Sequence, residues 1–228
     1  MKTISIGDIH GREDWKEVDP EKYDKIIFVG DYVDSFTVPD DKMLNNLLDI
    51  IQFKKDYMDK VILLFGNHDL HYLFKYDQHG CSGYRPQMYE VLHKIFTENK
   101  DLFQMSYQYN DTIWTHAGIH DGWWKFHFKA YKEEEGNISD RLNLAFDKYY
   151  LPLFNVSHIR GGMNKEGGPF WCDRSELTNA PLKYYSQIVG HSRVKEITKI
   201  YKHNKEIVFI DVIENEAKVK FYEKDFTE

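Results

Sequence analysis

Residues 3–11 have the sequence Thr-Ile-Ser-Ile-Gly-Asp-Ile-His-Gly, in which a short β-branched run ends at a glycine, an aspartate and a histidine. Four later segments combine an apolar run with a similar polar block. The five blocks are Gly7-Asp8-Ile9-His10-Gly11, Gly30-Asp31-Tyr32-Val33-Asp34, Gly66-Asn67-His68-Asp69, His116-Ala117-Gly118 and Gly190-His191. Because the carboxyl ends of strands in an open α/β sheet form one edge, we expect these blocks to converge there.

The apolar runs before the blocks are short and rich in β-branched residues, which predicts buried strands. They cover residues 3–6, 25–29, 61–65, 112–115 and 187–189. Amphipathic spacing predicts helices at 41–59, with Asp40 as N-cap, at 86–99 and at 139–150. Strands that alternate with helices indicate an α/β fold.

The last part of the chain has a different pattern. Two apolar runs, 207–212 and 217–222, are separated by Glu214-Asn215-Glu216. This spacing predicts a β-hairpin and therefore an antiparallel end to a mixed sheet. The most irregular stretch, residues 157–180, is our candidate active-site loop, since long irregular loops in compact domains usually have a function.

The composition indicates a single globular domain that spans residues 1–228. A hydrophobic fraction of 42% excludes intrinsic disorder, and no apolar run approaches the roughly 20 residues of a membrane-spanning helix. The net charge of −7 disfavours nonspecific nucleic-acid binding, which depends on lysine and arginine. With two widely spaced cysteines and no signal-like start, we expect a cytoplasmic protein.

The polar side chains of the blocks are typical of a catalytic metal centre. Carboxylate oxygen, amide oxygen and imidazole nitrogen without thiolate suit Mn, Fe or Zn in catalytic sites. A single catalytic ion that keeps open coordination positions needs fewer than six such side chains. Two ions that share a bridging carboxylate would use all six. The candidate ligands are Asp8, His10, Asp31, Asn67, His116 and His191.

In this order the five blocks resemble the calcineurin-like metallophosphoesterases. The segment Gly30-Asp31-Tyr32-Val33-Asp34 is most similar to the branch that contains phosphoprotein phosphatases, bacterial and phage serine/threonine phosphatases and diadenosine tetraphosphatases. The matched blocks run from residue 7 to residue 191. This resemblance implies a sandwich of two mixed β-sheets flanked by helices.

The resemblance also implies a role for each matched position. His68 would protonate the leaving group, and Asp34 would orient His68. The implied ligands of one metal are Asp8 and His10, those of the other are Asn67, His116 and His191, and the bridging ligand is Asp31. Four histidines near the blocks have no such role and are expected to be surface or supporting residues: His71, His79, His93 and His120.

The family pattern is broken where a phosphate-binding arginine is expected. The phosphoprotein phosphatases follow Gly-Asp-Tyr-Val-Asp with Arg-Gly, but this chain has Ser35-Phe36. Because the planar guanidinium fork matches phosphate oxygens, we expect another arginine to replace it. The candidates are Arg174, whose segment resembles the Trp-x-Arg of bacterial and phage phosphatases with one extra residue, Arg160, and after them Arg12.

These observations predict a dinuclear phosphoesterase. A hydroxide that bridges two divalent ions would attack the phosphorus of a phosphoprotein or small phosphomonoester, with His68 as general acid. We expect Mn²⁺, with Fe, Zn or Mg as alternatives. Two other functions stay open, namely hydrolysis of nucleotides or dinucleoside polyphosphates and a noncatalytic metal-binding scaffold. The aromatic segment 123–128 could stack on a nucleobase, although core packing is the more frequent role.

Overall fold

Two five-stranded sheets form the centre of the computed structural model, which describes residues 1–74, 81–131, 134–214 and 217–226. The strands are β1 (Lys2–Ile6), β2 (Lys25–Phe28), β3 (Val61–Leu64), β4 (Phe103–Gln104), β5 (Ser106–Tyr109), β6 (Thr112–Thr115), β7 (Ser186–Val189), β8 (Thr198–Lys202), β9 (Lys205–Phe209) and β10 (Phe221–Asp225). The helices are α1 (Asp40–Asp56), α2 (Asn67–Leu73), α3 (Tyr89–Glu98), α4 (Asp121–His127), α5 (Ile138–Asp147) and α6 (Arg174–Asn179).

Both sheets are mixed. The first has the order β10-β1-β2-β3-β4, in which β10 is antiparallel to β1 and the other pairs are parallel. The second has the order β5-β6-β7-β9-β8, with a parallel centre and antiparallel strands at both edges. The expected α/β fold with two mixed sheets is confirmed.

Alternating side chains of β2 explain how the sheets and helices pack, since successive residues of a strand point to opposite faces. Ile27 lies in a buried cluster shared by both sheets, where Trp114 Nε1 of β6 also donates to Ser5 Oγ of β1 at 2.9 Å. Its neighbours Ile26 and Phe28 join the core that contains the apolar face of α1. Leu177 of α6 packs with the opposite face of the second sheet. The sheets therefore form a sandwich with helices outside it.

The predicted helices are present with small changes at their ends. The first helix ends at Asp56 rather than Asp59, and its N-cap is Pro39 rather than Asp40. Asp40 instead occupies the first turn, where a carboxylate interacts favourably with the helix dipole. None of the helices in the described parts of the chain is both long and apolar enough to cross a membrane.

The predicted hairpin between 207–212 and 217–222 is wrong. Strand β9 pairs with β8, and β10 pairs with β1 of the other sheet. The partner that we missed, β8, is joined to β9 by His203-Asn204, both with positive φ, as in a two-residue hairpin turn. Residues 215 and 216 of the predicted turn lie outside the described residues.

Candidate metal centre and functional site

The five polar blocks follow β1, β2, β3, β6 and β7 and converge at one edge of the sandwich, as predicted. They surround a cavity of about 700 Å³. Six residues of the blocks line it: Asp8, His10, Asp31, Asn67, His68 and His191. His116 is fully buried behind the cavity and contacts three of these residues, Asn67, His191 and Asp31.

Several residues of the blocks have left-handed backbone conformations. The φ angle is 44° at His10, 55° at Asp31, 62° at Asp34 and 60° at His191. For a residue other than glycine, each left-handed conformation costs roughly 1–3 kcal/mol. Such conformations are typical of functional sites, where the surrounding structure holds them in place. A Cβ at Gly66 would lie 2.1 Å from Asp31 Oδ1, so glycine is needed for this close approach.

One group of ligand atoms surrounds Asn67 Oδ1. His116 Nε2 lies 2.7 Å from this oxygen and His191 Nδ1 lies 2.8 Å from it, and the two nitrogens are 3.2 Å apart. His116 Nδ1 contacts the Val29 carbonyl at 2.8 Å and is therefore the protonated nitrogen, which leaves Nε2 with a lone pair. Asn67 Oδ1 and His116 Nε2 are then both acceptors, and two acceptors only 2.7 Å apart are suited to binding the same cation.

The orientation of Asn67 depends on a residue that we did not predict. Its Nδ2 donates to Cys81 Sγ at 3.0 Å. This contact turns the amide so that Oδ1 faces the two histidines.

A second group of ligand atoms includes His10 and Asp31. His10 Nδ1 contacts the Val33 carbonyl at 2.8 Å, so its Nε2 carries the lone pair and lies 3.8 Å from Asp31 Oδ2. Asp31 Oδ2 is also 3.3 Å from His116 Nε2. Asp31 thus belongs to two sets of atoms that could each hold a metal, one with His10 and His68 and one with His116 and His191. Two ions that share Asp31 fit this arrangement.

The charges of the site also fit bound cations. Burial and the nearby carboxylates of Asp211 and Asp31 raise the pKa of Asp8 well above its usual value. Burial alone would raise the pKa of Asp31, but the neighbouring imidazoles, His116 first, lower it well below the usual range. Burial and the charge of His116 lower the pKa of His191. Imidazole nitrogens beside crowded carboxylates are a typical donor set for Mn, Fe or Zn.

His68 and Asp34 lie beside the metal ligands and contact each other. His68 Nδ1 is 2.9 Å from Asp34 Oδ2, and two further residues, His71 and Tyr72, also bond this carboxylate, at 2.8 Å and 2.5 Å. Burial disfavours the charged imidazole of His68, but Asp31 and Asp34 outweigh it and raise its pKa to about 8. A protonated imidazole held by an ionised carboxylate can donate a proton near neutral pH.

The arginine candidates differ in where the structure places them. Arg160 lines the cavity, with its Nη2 bonded to Ser192 Oγ at 2.7 Å and its Nε 2.8 Å from Asp173. Arg174 is not among the lining residues, and its guanidinium lies 5.3 Å from the ring centre of Phe209. Arg12 pairs with Glu214 at 2.9 Å and does not line the cavity either.

Two charged residues that line the cavity were missed by sequence reasoning. Arg193 follows the Gly190-His191 block by two residues, and this proximity could have suggested it. Asp211 follows β9, a strand whose end carries no glycine-containing block. Burial is the main cause of its raised pKa of about 6.

The aromatic segment 123–128 lies away from the cavity. Trp123 and Phe128 are fully buried, and Trp123 Nε1 donates to the Pro152 carbonyl at 2.9 Å. None of the segment lines the cavity, and Trp123 and Phe128 pack in the core, whereas Phe126 is 74% exposed. Among the other histidines, His71 supports Asp34, whereas His79 lies outside the described residues.

The model of the calcineurin-like phosphoesterase family matches residues 1–217. The chain belongs to this family. The resemblance of the five blocks is thereby confirmed, and this calcineurin-like phosphoesterase is a hydrolase of a metal-dependent family whose substrates are phosphorylated. No curated protein sequence matches it significantly.

Solved structures with the same fold include two phosphatases. A cold-active protein-tyrosine phosphatase of a psychrophilic Shewanella species is 17% identical, with a TM-score of 0.54, and the match covers 93% of this chain and 71% of that one. A protein serine/threonine phosphatase from Saccharomyces cerevisiae, with similarity to human phosphatase PP5, is 15% identical, with a TM-score of 0.52 and coverage of 92% and 67%. At these identities the likeness concerns the fold.

Proposed function

We propose that this calcineurin-like phosphoesterase is a dinuclear phosphomonoesterase. The observation that carries the proposal is the position of Asp31, whose carboxylate belongs to both metal-binding groups. One ion would be held by Asp8, His10 and Asp31, and the other by Asp31, Asn67, His116 and His191. Two bound divalent ions would supply a nucleophilic water near neutral pH and neutralise the charge of the phosphate.

The other residues of the site have distinct tasks in this proposal. His68 donates a proton to the leaving oxygen, since expulsion of an alkoxide is costly at neutral pH. Asp34 keeps the imidazole of His68 charged and aimed at the cavity. Arg160 binds a phosphate oxygen, because it lines the cavity while Asp173 and Ser192 hold its Nε and Nη2.

Exposed apolar side chains near the cavity favour a phosphoprotein substrate. Met163 is 88% exposed and follows the Arg160–Gly162 segment that lines the cavity, while Phe36 is 77% exposed and follows Asp34 by two residues. Such side chains fit the apolar residues that flank a phosphorylated position in a polypeptide. The relatives named above, which act on protein tyrosine and serine/threonine phosphates, agree with this class.

Hydrolysis of nucleotides is the second candidate, supported by one residue. Trp171 lines the cavity and could stack on a base, an interaction worth about 1–3 kcal/mol. The aromatic segment 123–128 does not line the cavity, so it offers no stacking surface at the metal centre.

The donor atoms and the cysteines bear on the metal and on the cellular compartment. We propose Mn²⁺ as the native ion, since the oxygen and nitrogen donors suit it. We also propose that residues 1–228 form one domain and that the protein acts in the cytoplasm. Both cysteines, Cys81 and Cys172, are buried and remain as thiols, as is usual in a reducing compartment.

The test is turnover of an activated aryl phosphate by chelator-treated protein before and after addition of Mn²⁺, with a panel of phosphopeptides and dinucleoside polyphosphates. We expect activity that depends on Mn²⁺ and a preference for phosphopeptides. Asp31→Asn serves as control and should lose metal at both positions together with activity. Two bound ions without turnover of any substrate would instead support a noncatalytic scaffold.

A further inference from the structure

Asp211 is a buried carboxylate at the edge where the metal ligands converge. It follows the last residue of β9 by two positions, lines the cavity and is only 4% exposed. Strand β9 pairs with β7, the strand that precedes His191, so the ends of both strands lie side by side. Asp211 therefore occupies the same kind of position as the predicted ligands, although it belongs to none of the five blocks.

The backbone places Asp211 beside the segments that carry Asp8 and His191. A Cβ at Gly7 would lie 3.2 Å from the Cα of Asp211, so this chain segment lies directly against the residue before Asp8. The carbonyl of Asp211 accepts a bond of 3.0 Å from the Val194 amide, three residues after His191. Three carboxylates, those of Asp8, Asp31 and Asp211, thus line the same cavity.

The carboxylate of Asp211 has an oxygen without a hydrogen-bond partner. Within the described parts of the chain, its buried Oδ1 bonds to no other atom. A buried charged oxygen is costly unless it is paired or binds a metal. Arg193 lies close enough for its charge to act on Asp211, but its side chain is 58% exposed and its guanidinium forms an ion pair with Glu214. This oxygen is therefore suited to a cation in the cavity.

We propose that Asp211 is a further carboxylate of the metal centre and acts on the ion held by Asp8 and His10. This inference rests on the proposed dinuclear function. That ion has three candidate ligands, whereas the other has four, and Asp211 lies on the side of Asp8. An oxygen of Asp211 would give both ions four ligands from the protein. It would also explain why a third carboxylate is buried in the cavity.

The experiment is a calorimetric titration of chelator-treated full-length protein with Mn²⁺, together with metal analysis after desalting. Wild type, Asp211→Asn and Glu214→Gln are compared. Glu214 is the matched control, a carboxylate that pairs with Arg12 and Arg193 but does not line the cavity. We expect Asp211→Asn to bind one of two ions about 10- to 100-fold more weakly, the usual effect of losing a supporting carboxylate. Glu214→Gln should keep both wild-type affinities.

Other outcomes would overturn the inference. If Asp211→Asn binds two ions with wild-type affinity and only its affinity for inorganic phosphate falls, Asp211 positions Arg193 rather than the metal. If Asp211→Asn does not fold, Asp211→Glu keeps the charge but moves it by one methylene, and unchanged affinity at both positions would count against the inference. Wild-type protein that binds fewer than two ions would instead contradict the proposed function itself.

Discussion

At the scale of single residues, Asp34 determines what His68 can do. Its carboxylate accepts bonds from His68, His71 and Tyr72, and these donors lower its pKa although burial acts in the opposite direction. A carboxylate that stays ionised keeps the neighbouring imidazole protonated. The sequence resemblance implied the pair of His68 and Asp34, whereas the two other donors became apparent only from the structure.

The first prediction concerns the acid role of His68. We expect His68→Ala to keep both metal ions and to lose about 10²- to 10⁴-fold in kcat on substrates with poor leaving groups. Activated aryl phosphates, which need little protonation of the leaving oxygen, should be hydrolysed at a nearly unchanged rate. Steady-state kinetics on both substrate types measures this, and an equal loss on both would exclude the role.

The raised pKa of His68 also predicts how stability depends on pH in protein without metal. The folded-state pKa of about 8 exceeds the unfolded value of about 6.5, so protonation stabilises the folded state by about 2 kcal/mol. This stabilisation is fully present below pH 6.5 and is lost as the pH rises through about 8. Urea unfolding of wild type and His68→Gln at pH 6 and pH 9 measures this stabilisation. The free energy of unfolding should be larger for wild type at pH 6, and this difference should disappear at pH 9. A difference independent of pH would contradict it.

At the scale of secondary-structure elements, Asp69 in α2 joins the loops that follow β2 and β3. Its carboxylate accepts backbone bonds from Asp31 at 2.9 Å, Tyr32 at 2.9 Å and Gly66 at 2.8 Å. The start of α2 thereby fixes the strained backbone of Asp31, the bridging ligand in our proposal.

We therefore expect Asp69→Ala to reduce the free energy of unfolding by at least about 3 kcal/mol, since three buried donors lose their acceptor at about 1–3 kcal/mol each. Asp49→Ala is the control. Its exposed carboxylate pairs with Lys16, and its loss should cost no more than about 1 kcal/mol. Urea unfolding measures both, and similar losses would show that Asp69 has no special role.

The sequence predicted those elements whose pattern is local. Buried strands such as β3 have continuous apolar runs that end at a polar block, so their position and the residues after them could be predicted. Strand β8 alternates between exposed and half-buried residues at a sheet edge, and β10 pairs with β1 across more than 200 residues. Such pairings depend on the whole sandwich. For the same reason Asp211, which has no motif around it, could not be placed at the site in advance.

At the scale of the whole molecule, the sandwich brings loops from distant parts of the chain to the metal centre. Residues 157–180 are the candidate active-site loop predicted from the sequence, and Arg160, Gly162 and Trp171 of this loop line the cavity. Arg160 contacts Asp173 from the same loop and Ser192 from the loop after β7. Its position therefore depends on two loops that only the complete fold places together.

The last prediction tests this arrangement with two arginines of the same loop. Arg160→Ala should raise KM for an aryl phosphate about 10- to 100-fold, because a hydrogen bond to a charged group contributes about 1.5–3 kcal/mol. Arg174→Ala should change KM less than about threefold, since the Arg174 side chain packs on Phe209 outside the cavity. The sequence placed both Arg174 and Arg160 ahead of Arg12, so the two variants decide between two candidates that the sequence left open. A larger effect of Arg174→Ala would mean that the loop rearranges when substrate binds.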